Sequence, residues 1–92
     1  MSAAPDFVHL HVHSEYSILD GACRIPALAA RAGELEMPAV GLTDHGSLAG
    51  AVALYKETAK HGVKPLLGCE VYVADARKAQ QKGYAHLTLL AE

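Results

Sequence analysis

The sequence contains few cysteines, few aromatic residues and no excess of basic charge. Its 92 residues include two cysteines, one phenylalanine and no tryptophan. Cys23 and Cys69 form no C-x-x-C spacing, so a disulfide framework is not expected and a reducing compartment such as the cytoplasm fits the composition. The formal net charge of -2 argues against a nucleic-acid interface built from lysine and arginine alone.

Long apolar runs are missing as well. The first residues, MSAAPDF, contain neither a basic segment nor an apolar stretch, so no secretory signal is predicted. No run approaches the roughly 20 apolar residues that span a bilayer. We therefore expect a cytoplasmic protein that does not contact a membrane. The length allows one small domain, and the terminal AHLTLLAE, which is typical of a strand with nothing after it, suggests a fragment of a larger protein.

The residue pattern predicts strands and helices in alternation. Apolar residues alternate with histidines over residues 7–13, which indicates a strand. Apolar residues at helical spacing follow Ile25, and Pro26 suits the first turn of that helix. The expected elements are strand 7–13, helix 24–37, a short buried strand with Val40 and Leu42 followed by a turn that Gly46 ends, helix 47–62, strand 64–73 and a last strand, 85–92. This order predicts right-handed βαβ units and a parallel sheet with its chemistry at the carboxyl ends of the strands.

The second helix has a clear apolar stripe in the sequence. Leu48, Val52, Tyr55 and Ala59 share one helical face, which we expect to be buried. Ser47 is the predicted N-cap, because a serine hydroxyl can accept a hydrogen bond from a backbone N–H of the first turn.

Six potential metal ligands fall at or near the ends of the predicted strands. Residues two apart on a strand lie about 6.5–7 Å apart and point the same way, so His11 and His13 can bind one ion or neighbouring ions. A lone H-x-H is more often a surface feature, but here carboxylates and a D-H-G turn follow on later elements. The mixture suits Zn²⁺, Mn²⁺ or iron better than Mg²⁺ or Ca²⁺. The candidate ligands are His11, His13, Asp20, His45, Glu70 and His86.

Three further residues have weaker cases for a role at the site. His9 shares the histidine face but lies one residue pair back, which favours a supporting role. Asp44 precedes His45 and either orients a ligand or caps a turn. Arg24 either contacts phosphate or is simply solvated.

Four segments together resemble the PHP (polymerase and histidinol phosphatase) domain, and more narrowly its branch at the N-terminus of bacterial replicative DNA polymerases. They are FVHLHVHSEYSILDGACRI, PAVGLTDHGSLAGAVALYK, GVKPLLGCEVYVA and YAHLTLLAE. The resemblance implies an α/β fold: a distorted seven-stranded, TIM-like β/α barrel, of which residues 1–92 are an N-terminal βαβαβ portion. It also implies that the six candidate ligands hold a cluster of up to three divalent ions, with a final Asp-x-His pair beyond residue 92.

The same resemblance implies a function. The intact protein would synthesise DNA with Mg²⁺, while the PHP domain would use Zn²⁺ or Mn²⁺ to hydrolyse phosphodiester bonds as a 3′→5′ proofreading exonuclease. Its partners would be a DNA primer–template, a sliding clamp and a separate proofreading exonuclease, in the bacterial cytoplasm. The alternatives are a stand-alone phosphoesterase of the histidinol-phosphatase type and a scaffold that binds metal only for stability.

Overall fold

The structure is a computed structural model of the chain, and it describes residues 7–17, 21–74 and 85–92. These residues form two helices and three strands: α1 (Ile25–Glu34), β1 (Ala39–Leu42), α2 (Ala51–Ala59), β2 (Lys64–Val73) and β3 (Ala85–Leu90). Neither of these helices is long and apolar enough to cross a membrane. The α/β class predicted from the sequence is confirmed.

The sheet is mixed, in the order β1-β2-β3. β1 and β2 are parallel, with Ala39 opposite Lys64. β2 and β3 are antiparallel, with Tyr72 opposite His86. The prediction of a parallel sheet is therefore correct for β1 and β2 and wrong for β3. Residues 74–84 separate β2 from β3, and a parallel crossover needs a dozen or more residues.

The histidine-rich segment 7–13 is extended but is not a regular strand, which corrects the prediction. It runs parallel to β1 through one bridge, between Val12 and Leu42. The Gly41 N–H donates to the His9 carbonyl at 2.7 Å, and the Thr43 N–H donates to the Val12 carbonyl at 2.9 Å. Gly41 permits this close approach, because a Cβ there would lie 3.0 Å from the Leu10 Cα. Two hydrogen bonds are enough to align the histidines with the sheet.

Helix α1 follows its sequence pattern closely. Pro26 lies in the first turn, and the apolar stripe buries Ile25, Ala29 and Ala32. The helix ends at Glu34 rather than at residue 37, and Leu35 is exposed. The buried stripe contributes to the main hydrophobic cluster, which comprises Ile25, Ala32, Val40, Leu42, Leu54 and Val63.

Helix α2 departs from its pattern in both its start and its buried face. It begins at Ala51 after Gly50, which makes no side-chain cap, and the Ser47 hydroxyl instead accepts a hydrogen bond from the Ala49 N–H at 3.0 Å. The predicted N-cap is therefore wrong. Leu54 and Thr58 are the buried residues of the helix. Burial of Thr58 is possible because its hydroxyl donates to the Leu54 carbonyl at 2.8 Å.

The expected apolar face of α2 is the exposed one. Leu48, Val52 and Tyr55 are 62%, 65% and 64% exposed, because the helix turns Leu54 and Thr58 toward the core. A seven-stranded barrel and the extent of the domain stay predictions, since the described residues form an open three-stranded sheet.

Candidate metal centre

Four imidazoles converge on one buried carboxylate, that of Glu70, which is 5% exposed. His11 Nε2 lies 2.6 Å from Glu70 Oε1. The other oxygen, Oε2, lies 2.7 Å from His45 Nδ1, 3.2 Å from His86 Nδ1 and 3.7 Å from His13 Nε2. Both oxygens of a single carboxylate thus lie beside imidazole nitrogens from separate parts of the chain.

The sheet explains how residues far apart in sequence meet. β2 extends past the end of β1, so that His45, just after β1, forms a parallel bridge with Glu70. The Glu70 N–H donates to the Asp44 carbonyl at 3.0 Å, and the Gly46 N–H donates to the Glu70 carbonyl at 2.8 Å. β3 runs the opposite way, so His86 near its start lies beside the end of β2. The predicted placement at the carboxyl ends of the parallel strands therefore holds for β1 and β2.

The potential ligands form two groups that share Glu70. Within each group, the ligand atoms lie within 4.8 Å of one another. One group is His11, His13 and Glu70, and the other is His45, Glu70 and His86. A shared carboxylate with its two oxygens turned toward different imidazoles can bridge two ions.

The donor set fits a divalent metal. Imidazole nitrogens with a carboxylate suit Zn²⁺, Mn²⁺ and iron. Two atoms bound to one tetrahedral Zn²⁺ at about 2.0–2.1 Å lie roughly 3.3 Å apart. The distances to Glu70 Oε2, from 2.7 to 3.7 Å, bracket that value. This oxygen is buried and accepts no hydrogen bond from the part of the chain that the structure describes.

The histidines hold the Glu70 carboxyl in its charged form. Burial by itself raises the pKa of this carboxyl. The hydrogen bond from His11 and the positive charges of His45, His13 and His11 outweigh that effect, and the net pKa of Glu70 is lowered from its usual value. A cation favours the carboxylate in the same way, so the residue is prepared to bind one.

Asp44 organises the loop that follows His13. This residue is 1% exposed, and its carboxylate accepts hydrogen bonds from the Ser14 N–H, from the Ser14 hydroxyl at 2.7 Å and from the Ser17 hydroxyl at 2.8 Å. Ser17 Oγ also accepts from the His45 N–H at 3.0 Å. We call Ser14, Ser17 and Asp44 the serine clasp. It fastens the backbone next to His13 to the backbone of His45.

An aromatic ring lies beside the ligands. Tyr72 follows Glu70 by two residues on β2. Its ring is stacked on that of His45, with centroids 6.1 Å apart and an interplanar angle of 17°. It meets the His86 ring edge to face, with centroids 5.0 Å apart.

The structure brings together five of the six predicted ligands. The sixth, Asp20, lies outside the described residues. His9 packs its ring against Phe7, with centroids 4.8 Å apart, and is in neither ligand group. Arg24 is exposed at the N-cap of α1, and its contact with phosphate stays a prediction.

Sequence reasoning missed Ser14, Ser17 and Tyr72. The two serines occupy an S-x-x-S spacing directly after the H-x-H, and this spacing was the only signal for the clasp in the sequence. For Tyr72, the period of two along β2 could have placed the ring on the Glu70 side of the strand.

Comparison with known proteins gives a consistent result. The sequence profile of the PHP domain matches residues 9–92. The chain is similar to the N-terminal region of DNA polymerase III subunit alpha from Saccharopolyspora erythraea, with 54% identity over 83% of this chain and 6% of that protein. It is also similar to DNA polymerase III subunit alpha from Borreliella burgdorferi, with 46% identity over 100% of this chain and 8% of that protein. The chain thus spans less than a tenth of these relatives.

A solved structure shares the fold. An amidohydrolase from Chromobacterium violaceum, with bound sulfate and no metal, has a TM-score of 0.73 and 30% identity to this chain. The likeness covers 90% of this chain and 27% of that protein. The match of nearly the whole sequence to one family profile, on a fold with this histidine and glutamate cluster, shows that the chain belongs to the PHP domain family.

Proposed function

We propose that, in the full-length protein, this segment supplies ligands to a divalent metal cluster that hydrolyses phosphodiester bonds at the 3′ end of DNA. The observation that carries the proposal is the convergence of four imidazoles on both oxygens of Glu70. The similarity to subunits named DNA polymerase III alpha supports DNA as the substrate. The reaction would remove mismatched nucleotides, which is proofreading.

The two ligand groups would each hold an ion, Zn²⁺ or Mn²⁺, and Glu70 belongs to both groups. Asp20 would complete the set, and up to three ions would bind in all. When bound, such ions lower the pKa of a water molecule and stabilise the charge on the phosphate. They would also explain how a chain with a net charge of -2 can attract an anionic substrate.

In this reaction, the histidines and Glu70 would bind the metal ions, and the serine clasp would position two of the histidines. An imidazole binds metal through a ring nitrogen that carries no proton, so the 2.6 Å hydrogen bond between His11 Nε2 and Glu70 Oε1 would be given up if both atoms held an ion. The serine clasp holds His13 and His45 in register while this happens. The final Asp-x-His pair expected beyond residue 92 would act on the same ions, so residues 1–92 alone should bind metal weakly and hydrolyse nothing.

The proposal for the full-length protein extends further. It would carry a Mg²⁺-dependent DNA polymerase, bind a primer–template and a sliding clamp, and work in the bacterial cytoplasm beside a separate proofreading exonuclease. The names of the relatives support the polymerase activity and the DNA primer–template.

A purely structural metal site has less support. Structural sites are usually closed sets of four ligands. Here the side chains of His11 and His86 are 54% and 47% exposed, which leaves the cluster open on the side where a substrate would enter.

The test follows a mismatched 3′ nucleotide on a primer. The full-length protein should remove this nucleotide. Both a chelator and the substitution His13→Ala should abolish the removal. Primer extension should still occur in the variant, and also in the chelated protein once Mg²⁺ is added back. His61→Ala is the matched control, because this exposed histidine follows α2 outside both ligand groups. A protein that extends primers but never trims them would refute the exonuclease.

A further inference from the structure

We propose that Tyr72 is a stacking platform for the terminal nucleobase of the substrate, so that the site recognises a nucleotide rather than any phosphate ester. This inference rests on the proposed hydrolysis of DNA and names the group that selects its substrate. It is carried by the position, the exposure and the fixed orientation of one ring.

Position is the first argument. Successive side chains of a strand alternate between its faces, so Glu70 and Tyr72 point the same way, about 6.5–7 Å apart. Tyr72 lies one step nearer the carboxyl end of β2, which ends at Val73. It is directly opposite His86 on β3, whose Nδ1 reaches Glu70 Oε2 at 3.2 Å. The ring is therefore at the border of the ligand cluster without being a ligand.

Exposure is the second argument. Tyr72 is 52% exposed, whereas Glu70 beside it is 5% exposed. A tyrosine that served only to support the histidines would gain more by burial, since aromatic side chains are among the largest sources of buried apolar area. About half of the surface of Tyr72 instead stays accessible beside the metal centre.

The third argument is that the ring is already held in place. It stacks on His45 at 17° and meets His86 at 80°. A Cβ at Gly46 would lie 3.3 Å from Tyr72 Cε2, so the turn also approaches the ring closely. An aromatic ring with only two side-chain torsions that is fixed on several sides loses little conformational entropy when a ligand stacks on it.

The ligand class follows from this arrangement. Metal-held phosphate chemistry and a flat apolar surface one residue pair away together match a nucleoside 5′-phosphate, the product of 3′→5′ trimming. Bases stack on aromatic side chains with little dependence on sequence. A proofreading site needs that tolerance, because any of the four bases can be the mismatched one.

Binding to the metal-loaded, full-length protein tests the inference without hydrolysis. Dissociation constants are measured by calorimetry for 2′-deoxyadenosine 5′-monophosphate and for 2-deoxyribose 5-phosphate, which lacks the base. The binding that remains in Glu70→Gln is subtracted, because it does not belong to this site. The wild type should prefer the nucleotide by about 5- to 150-fold. Tyr72→Leu should remove most of that preference, and Tyr72→Phe should keep it.

Tyr55→Leu is the matched control, since this tyrosine is 64% exposed on α2 and should leave the preference unchanged. Metal content is measured for every variant. The inference is overturned if the wild type shows no preference for the base, if Tyr72→Leu retains it, or if Tyr72→Leu loses metal, which would make the ring a support for the ligands. Trimming of DNA is scored separately. Base preference that depends on Tyr72 without trimming would refute only the nuclease, whereas trimming without that dependence would refute only the stacking.

Discussion

Two regions of the molecule use their side chains in opposite ways. At the metal centre, polar groups are buried and bonded to one another: Ser14, Ser17, Asp44 and Glu70 are each at most 5% exposed. Elsewhere, large apolar side chains just before α2, on α2 and on β3 are exposed, namely Leu48, Val52, Tyr55, Leu87, Leu89 and Leu90. We call these two regions the polar edge and the apolar face.

The polar edge and the apolar face are determined by different physical properties of their side chains. The polar edge is fixed by hydrogen bonds and ion pairs, which are directional and therefore specify their partners. The apolar face is defined by hydrophobic character, which says that a side chain favours burial but not against which surface. Disturbing the polar edge should therefore have large effects, and disturbing the apolar face small ones.

The largest effect is expected at Glu70. In Glu70→Gln, both ligand groups lose the carboxylate they share, and metal affinity in the full-length protein should fall by at least about 100-fold, beyond the loss typical of residues that only support a ligand. Titration with Zn²⁺ and measurement of bound metal check this. Glu34→Gln on the exposed end of α1 is the control and should change neither. Equal metal content in Glu70→Gln and the wild type would contradict the assignment of the cluster.

The serine clasp should give the next largest effect. Asp44→Ala leaves three buried donors of Ser14 and Ser17 without their acceptor, and each such loss costs about 1–3 kcal/mol. We expect the free energy of unfolding to fall by roughly 3 kcal/mol. Urea denaturation of the chain measures it. Ser47→Ala is the comparison, because it removes an exposed hydrogen bond and should cost less than about 1 kcal/mol. Similar losses in both variants would show that the clasp contributes little.

Whether a feature could be predicted from the sequence depends on whether it follows a local pattern. Five of the six candidate ligands could be found because they follow local rules: alternation along an extended segment and placement at the ends of parallel strands. The pairing of Asp44 with the two serines could not be found, because they lie 27 and 30 residues away, and neither the S-x-x-S spacing nor any other local pattern records which residues pair. The direction of β3 depended on the length of its connection, which the sequence did contain.

Helix α2 shows the limit of periodicity. Its apolar stripe was predicted to be buried, but the core receives Leu54 and Thr58 instead. The threonine is acceptable there because its hydroxyl is satisfied within the helix, at 2.8 Å from the Leu54 carbonyl. A pattern that counts threonine as polar cannot anticipate this choice.

Gly41 should give an intermediate effect, because it lies against the histidine-rich segment at His9 and Leu10. A Cβ at this position would lie 3.0 Å from the Leu10 Cα and 3.2 Å from the His9 carbonyl oxygen. Gly41→Ala should therefore push the histidine segment away from β1, lower the free energy of unfolding by about 1–3 kcal/mol and weaken metal binding. Gly62→Ala is the comparison. The φ of +68° at Gly62 makes an alanine there strained, but the added Cβ would meet no atom within 4 Å. The metal affinity of Gly62→Ala should therefore be unchanged. Equal metal affinity in Gly41→Ala and the wild type would mean that the segment is positioned by other contacts.

The smallest effect is expected on the apolar face, and it tests the comparison most directly. Val52 is 65% exposed, and Leu54, two residues along the same helix, is 0% exposed. Val52→Ala should change the free energy of unfolding of the chain by no more than about 0.5 kcal/mol. Leu54→Ala should lower it by about 2–5 kcal/mol, because it opens a cavity in the main hydrophobic cluster. If thermal or urea unfolding showed equal losses for the two variants, Val52 would be buried in solution. The helix would then present the face that its sequence pattern predicts, and the buried position of Thr58 would have to be abandoned.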